Sequence, residues 1–197
     1  AGTVSAYAYL IDNENAAGYS SDTYGLRFAG KTKQLAYTLE YATQSDAANN
    51  PASYNADYLL AEGSYKIEGF TLKAGYELLS ADGSKGQFST PLATLHKFQG
   101  WTDQFQNDGL GNIAGGVRDD YFSLGYSCSE SFRLASIYHR FKSDGGPADL
   151  GELGTEWGLE ANYEWDNYGV KLKYADYSRK NFGLDTEKLW LTAEADF

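Results

Sequence analysis

The last eleven residues, "EKLWLTAEADF" (187–197), decide the fold. Every second residue back from Phe197 is apolar: Ala195, Ala193, Leu191 and Leu189. The residues between them, Asp196, Glu194, Thr192, Trp190 and Lys188, are mostly charged or polar. An alternation of period two marks a β-strand with two different environments on its faces. In a soluble sheet the apolar face meets a core and the polar face meets water. In a membrane barrel the apolar face meets lipid and the polar face a lumen. One strand does not choose between these arrangements, but the rest of the chain does.

The same alternation recurs in ten segments, near 3–12, 23–31, 34–44, 55–67, 70–80, 118–128, 131–142, 156–165, 170–179 and 187–197. Phe70, Leu72, Ala74, Tyr76 and Leu78 oppose Thr71, Lys73 and Glu77. Trp157, Leu159, Ala161, Tyr163 and Trp165 oppose Glu160, Asn162 and Glu164. The connections alternate in length as well. The links "KTK" (31–33), "IEGF" (67–70), "SCSES" (127–131) and "WDNYG" (165–169) are short. The links "NENAAGYSSD" (13–22), "SDAANNPASY" (45–54), about 81–117, "SDGGPADLGELGTE" (143–156) and "SRKNFGLDTE" (178–187) are long. A soluble sandwich has no reason for that rhythm, whereas outer-membrane barrels have short periplasmic turns and long outer loops. An even strand number places both termini on the periplasmic side. The apolar set, rich in Tyr, Trp and Phe, would overfill a soluble core. We therefore expect one all-β domain over 1–197, an antiparallel transmembrane β-barrel of about ten strands.

Composition agrees with this expectation. The net charge is −11, with 27 Asp plus Glu against 16 Lys plus Arg, which argues against nucleic acid as a partner. The chain has 17 tyrosines and 22 glycines, suited to many strands with tight turns and to bilayer interfaces. The mean hydropathy of −0.51 is compatible with a barrel, whose lumen and loops are polar. The single cysteine, Cys128, has no disulfide partner within the chain and reads as a small buried or lipid-facing residue. There is no methionine, so a processed or partial product is expected.

The polar face supplies the candidate pore lining: Arg27, Glu40, Glu62, Lys66, Lys73, Glu77, Arg133, His139, Glu160, Glu164, Lys171 and Lys173. Both signs are interleaved, as in a hydrated or salt-bridged lumen. The long 81–117 segment contains "FSTPLATLHKFQGWTDQF" (88–105), too apolar for a disordered tip. It reads either as an inward-folded constriction, presenting His96, Lys97, Gln99 and Trp101, or as a lid packed on the wall.

An enzyme is the rival class. Its candidates are His139 with Asp119 and Asp120, or His96 with Asp103. No G-x-S-x-G elbow accompanies them. Two histidines without an H-x-x-x-H or cysteine partner give no metal site. The glycine-rich "GLGNIAGG" (109–116) opens no helix that would hold a phosphate. No cofactor is expected. A third reading is a narrow, closed barrel with a structural role.

The 88–105 stretch, with "TYGLRFAG" (23–30), "YTLEYATQSD" (37–46), "NADYLLAEGSY" (55–65), "LKAGYELLSADG" (72–83), "IYHRF" (137–141) and "DTEKLWLTAEADF" (185–197), resembles the alginate export family of outer-membrane porins. The resemblance covers nearly the whole chain in order. It implies the C-terminal part of a monomeric barrel of about eighteen strands that passes polysaccharide or other solutes across the bacterial outer membrane. It also implies that Phe197 serves as the terminal aromatic signal read by the outer-membrane assembly machinery. The expected partners are the lipid bilayer, that machinery and the solute.

Overall fold

The computed structural model describes residues 2–91, 99–106, 111–146 and 148–196. His96, Lys97 and Phe197 lie outside them. Ten strands are present: β1 Gly2–Ile11, β2 Ser21–Lys31, β3 Leu35–Asp46, β4 Asn55–Ile67, β5 Phe70–Leu79, β6 Val117–Ser127, β7 Phe132–Lys142, β8 Glu152–Trp165, β9 Tyr168–Arg179 and β10 Thr186–Ala195. They form one sheet in chain order, each strand antiparallel to its sequence neighbours. A single turn of 3-10 helix, Ala17–Tyr19, lies in the β1–β2 link. All the short turns lie at one end of the sheet and all the long links at the other. The two-residue turn between β4 and β5 puts Glu68 and Gly69 at φ +45° and +84°. Two positive values in succession match the right-handed twist of the flanking strands.

The register keeps each face uniform. Leu39 sits between Phe28 and Ala61, while its neighbour Glu40 sits between Arg27 and Leu60. Such a register is strongly specified, because a slip of one residue would turn every apolar side chain to the polar face. The apolar face is uncovered: Leu39, Leu72, Leu124, Leu159 and Leu172 are all exposed, and Leu189 and Leu191 reach 68% and 74% exposure. Soluble monomers rarely leave so continuous an apolar surface bare. A bilayer covers it without further protein. Paramagnetic labels at Leu39, Leu72 and Leu172 should therefore be quenched by a lipid-soluble agent, and labels at Glu40, Lys73 and Lys171 by a water-soluble one. The reverse pattern would refute the membrane orientation.

The buried core lies on the polar face, toward the long-link end. Phe105, Ile113, Val117, Phe141, Leu153 and Tyr177 form one cluster, with Phe182 packed against it. Ala42, Tyr54, Ala56, Leu79 and Phe88 form another. Both combine wall residues with residues of the 80–116 connection, so that connection is folded onto the polar face.

The ten strands do not close on themselves. β1 and β10 are the two edges of the sheet. The physical reason is room. A closed sheet of eight strands has an interior just wide enough for its own side chains. Ten strands would add little, and here described residues of the 80–116 connection, among them Phe88, Phe105 and Ile113, also lie on the inner face.

Candidate functional site

Register places all twelve predicted lining residues on the polar face of the sheet. Several pair along the wall, between neighbouring strands. Arg27 bridges to Glu40, which also accepts the Tyr7 hydroxyl at 2.7 Å. Lys73 lies 3.1 Å from Glu62, which accepts from Tyr121 at 2.6 Å. Arg133 pairs with Glu164 at 2.9 Å. Glu77 is buried and accepts the Tyr58 hydroxyl at 2.8 Å. These pairs run along the sheet, between neighbouring strands.

The 80–116 connection is held by a few strong contacts. The Glu156 side chain on β8, only 1% exposed, accepts hydrogen bonds from the Trp101 N–H, the Thr102 N–H and the Thr102 hydroxyl at 2.5–3.1 Å. Hydrogen bonds to an ionised acceptor are about twice as strong as neutral ones. Asp103 pairs with Lys188 of β10 at 2.7 Å. Gln104 donates to Thr186 and accepts from the Leu184 N–H. At the other flank, Gln44 of β3 donates to the Ser89 carbonyl and accepts from its N–H. The Asn112 amide donates to the carbonyls of Leu79 and Phe88.

Gly100 is required where it stands. Its φ is +82°, and a Cβ there would lie 2.6 Å from the Glu156 carboxylate. Gly158 makes room in the same way, since a Cβ would lie 2.7 Å from the Trp101 ring. The Lys173 ammonium lies 4.9 Å from the Trp101 ring centre and 4.7 Å from that of Trp190, within cation–π range of both.

Of the four predicted constriction residues, Trp101 is seated on the wall and Gln99 lines a cavity beside it. Glu156 was not among the predicted residues, although it has the same parity as Glu160 and Glu164. It stands at the very start of the predicted eighth strand, whereas β8 begins at Glu152.

The histidine constellation is divided. His139 Nδ1 lies 2.7 Å from Asp119, and both side chains are buried. The imidazole stacks on Phe141 at 5.4 Å. Asp120 faces the other way and approaches Arg118 at 3.8 Å. Asp103 pairs with Lys188, and His96, its candidate partner, lies outside the described residues. Among the described residues no hydroxyl is hydrogen-bonded to His139, and no cluster of three or more potential metal ligands occurs. Cys128 lies just beyond β6 and is exposed, in phase with Phe122, Leu124 and Tyr126 of the apolar face.

A cavity of about 510 Å³ opens between β1–β5 and residues 88–91 and 99 of the connection. Its lining includes Tyr7, Tyr9, Arg27, Glu40, Gln44, Tyr58, Glu77 and Phe88.

No family profile matches the chain, and no curated protein does. Solved structures do. Pseudomonas aeruginosa OccK3 (OpdO) superposes with a TM-score of 0.61 at 18% identity, over 88% of this chain and 49% of that one. P. aeruginosa OccK9 (OpdG) gives 0.62 at 18% identity, over 88% and 46%. Acinetobacter baumannii OccAB4 gives 0.61 at 18%, over 89% and 45%. The chain has the fold of outer-membrane porin barrels. It spans about half the length of the structures it matches. The likeness supports an outer-membrane porin barrel at the level of the class, and not the alginate export family specifically.

Proposed function

We propose that the sheet forms part of the wall of an outer-membrane channel that passes small polar solutes. One observation carries the reading: an anchored, partly apolar connection lies on a charged sheet face while the opposite face is bare and apolar. That is the arrangement of a water-filled passage narrowed from within, seated in lipid. The likeness to channel-type porins rather than enzymes supports it.

In lipid, unpaired backbone groups along β1 and β10 are each costly. The two edges are accordingly paired to further strands in the membrane, and a closed wall results. The mixed charge of the lining and its lateral pairing favour small solutes over a polyanion such as alginate, which calls for a mostly cationic path.

Liposome swelling tests the channel. Protein reconstituted into liposomes should admit small neutral solutes and exclude large dextrans. The Trp101→Ala variant, which removes a bulky ring from the wall of the passage, should admit solutes faster. Impermeable liposomes carrying correctly inserted protein would refute the reading.

A further inference from the structure

We infer that the cavity between β1–β5 and the 88–91 stretch is a binding subsite for an uncharged, hydroxyl-rich ring compound, a neutral sugar. The inference rests on the channel reading, which sets the cavity beside the solute's path.

The lining carries two kinds of surface in close alternation. Four rings supply apolar faces: Tyr7 and Tyr9 lie 5.3 Å apart, and Tyr58 and Phe88 lie 5.6 Å apart. Between them stand an arginine and two carboxylates whose geometry is already fixed. Glu40 is held by Tyr7 and Arg27, and Glu77 by Tyr58. Side chains locked in this way are preorganised, which lowers the ordering cost of binding. A sugar ring presents C–H faces to aromatic rings and hydroxyls to carboxylates, amides and guanidinium groups. Its alternating surface matches this lining. The volume is within the range of small-molecule sites.

Other ligand classes fit less well. An inorganic ion has no use for four aromatic rings. A uronate or other acidic sugar would bring its carboxylate toward Glu40 and Glu77, with only Arg27 to offset them. An organic cation would meet the Arg27 guanidinium, whose side chain is nearly half exposed. A neutral polyol bears none of these penalties and uses both donors and acceptors.

The test is saturation-transfer NMR on the purified protein in a detergent without a sugar headgroup, with maltose and digalacturonate as probes. Maltose should give contacts from its ring protons, and digalacturonate much weaker ones. Tyr9→Ala should weaken maltose binding by roughly threefold to tenfold, the worth of one aromatic contact. Tyr9 is 55% exposed, so this change leaves the fold intact. Arg27→Gln should weaken maltose binding as well. The inference is overturned if maltose does not bind, if digalacturonate binds equally well, or if neither variant alters the affinity. Because binding is read in detergent, impermeable liposomes would refute the channel while leaving this result standing.

Discussion

Replacing Glu156 with alanine is expected to free the 100–102 segment from the wall. Amide exchange at Trp101 and Thr102 should quicken by roughly 10²–10³-fold. The reasoning is local. One buried carboxylate accepts three hydrogen bonds from this segment. A net hydrogen bond to a charged group is worth about 1.5–3 kcal/mol, and three sharing one acceptor are less than additive. A total of about 3–4 kcal/mol corresponds to the stated change, at about 1.4 kcal/mol per tenfold. Glu156→Gln keeps the size and one acceptor oxygen but loses the charge, and should give an intermediate rate. Hydrogen exchange followed by mass spectrometry of peptides covering 99–106 reads the effect. Unchanged protection in the alanine variant, with strand content retained, would show that the neighbouring Asp103–Lys188 pair and the Phe105 cluster hold the segment without it.

The second large effect is expected at the pair buried between β6 and β7. His139→Ala leaves the Asp119 carboxylate with no described partner, because its Oδ1 already lacks one. Stranding a buried charge costs about 3–5 kcal/mol. Asp119→Ala strands the imidazole, which as a neutral ring tolerates isolation better, so its cost should be smaller. Replacing both with leucine removes the polar demand altogether and should recover much of the loss, since apolar isosteres often match or exceed a buried pair. Urea unfolding in lipid vesicles of the unaltered protein, His139→Ala, Asp119→Ala and the double alanine variant forms a double-mutant cycle, with the double leucine variant measured beside it. Additive losses in the double alanine variant would mean that the pair is not coupled. Loss of permeability with no loss of stability would assign His139 to the passage itself, beyond its place in the wall.

The strands were legible in the sequence for a physical reason. A wall between lipid and water imposes period two on every strand, and side chains such as Leu72 and Lys73 carry that period directly. Where the pattern fades, so did the reading. β2 begins at Ser21 and β8 at Glu152, ahead of the expected starts, because the added residues, Ser21 and Asp22 in β2 and Glu152, Leu153, Gly154 and Thr155 in β8, hold one large apolar side chain and carry no sustained alternation. The residues of the polar face followed from parity, and so did the pairing of Arg27 with Glu40 once the register was known. The anchorage of the long connection was not legible. Trp101 and Glu156 are 55 positions apart, and Asp103 and Lys188 are 85 apart. No local pattern encodes which strand a loop residue will meet. The open edges were hidden for a similar reason: alternation shows that a residue is in a wall, but not how many strands complete the ring.

The anchors of the 80–116 connection also carry a consequence for the order of folding. Each strand pairs only with its sequence neighbour, so the sheet can grow hairpin by hairpin with little loop-closure entropy at each step. The connection has no such route. Its ties to Gln44, Glu156, Thr186 and Lys188 require β3, β8 and β10 to be in place already. Docking therefore comes late, after the wall has formed. Contacts absent from the rate-limiting step alter unfolding more than folding. Loosening the Glu156 ties should accordingly leave the rate of insertion unchanged while the docked segment releases more often.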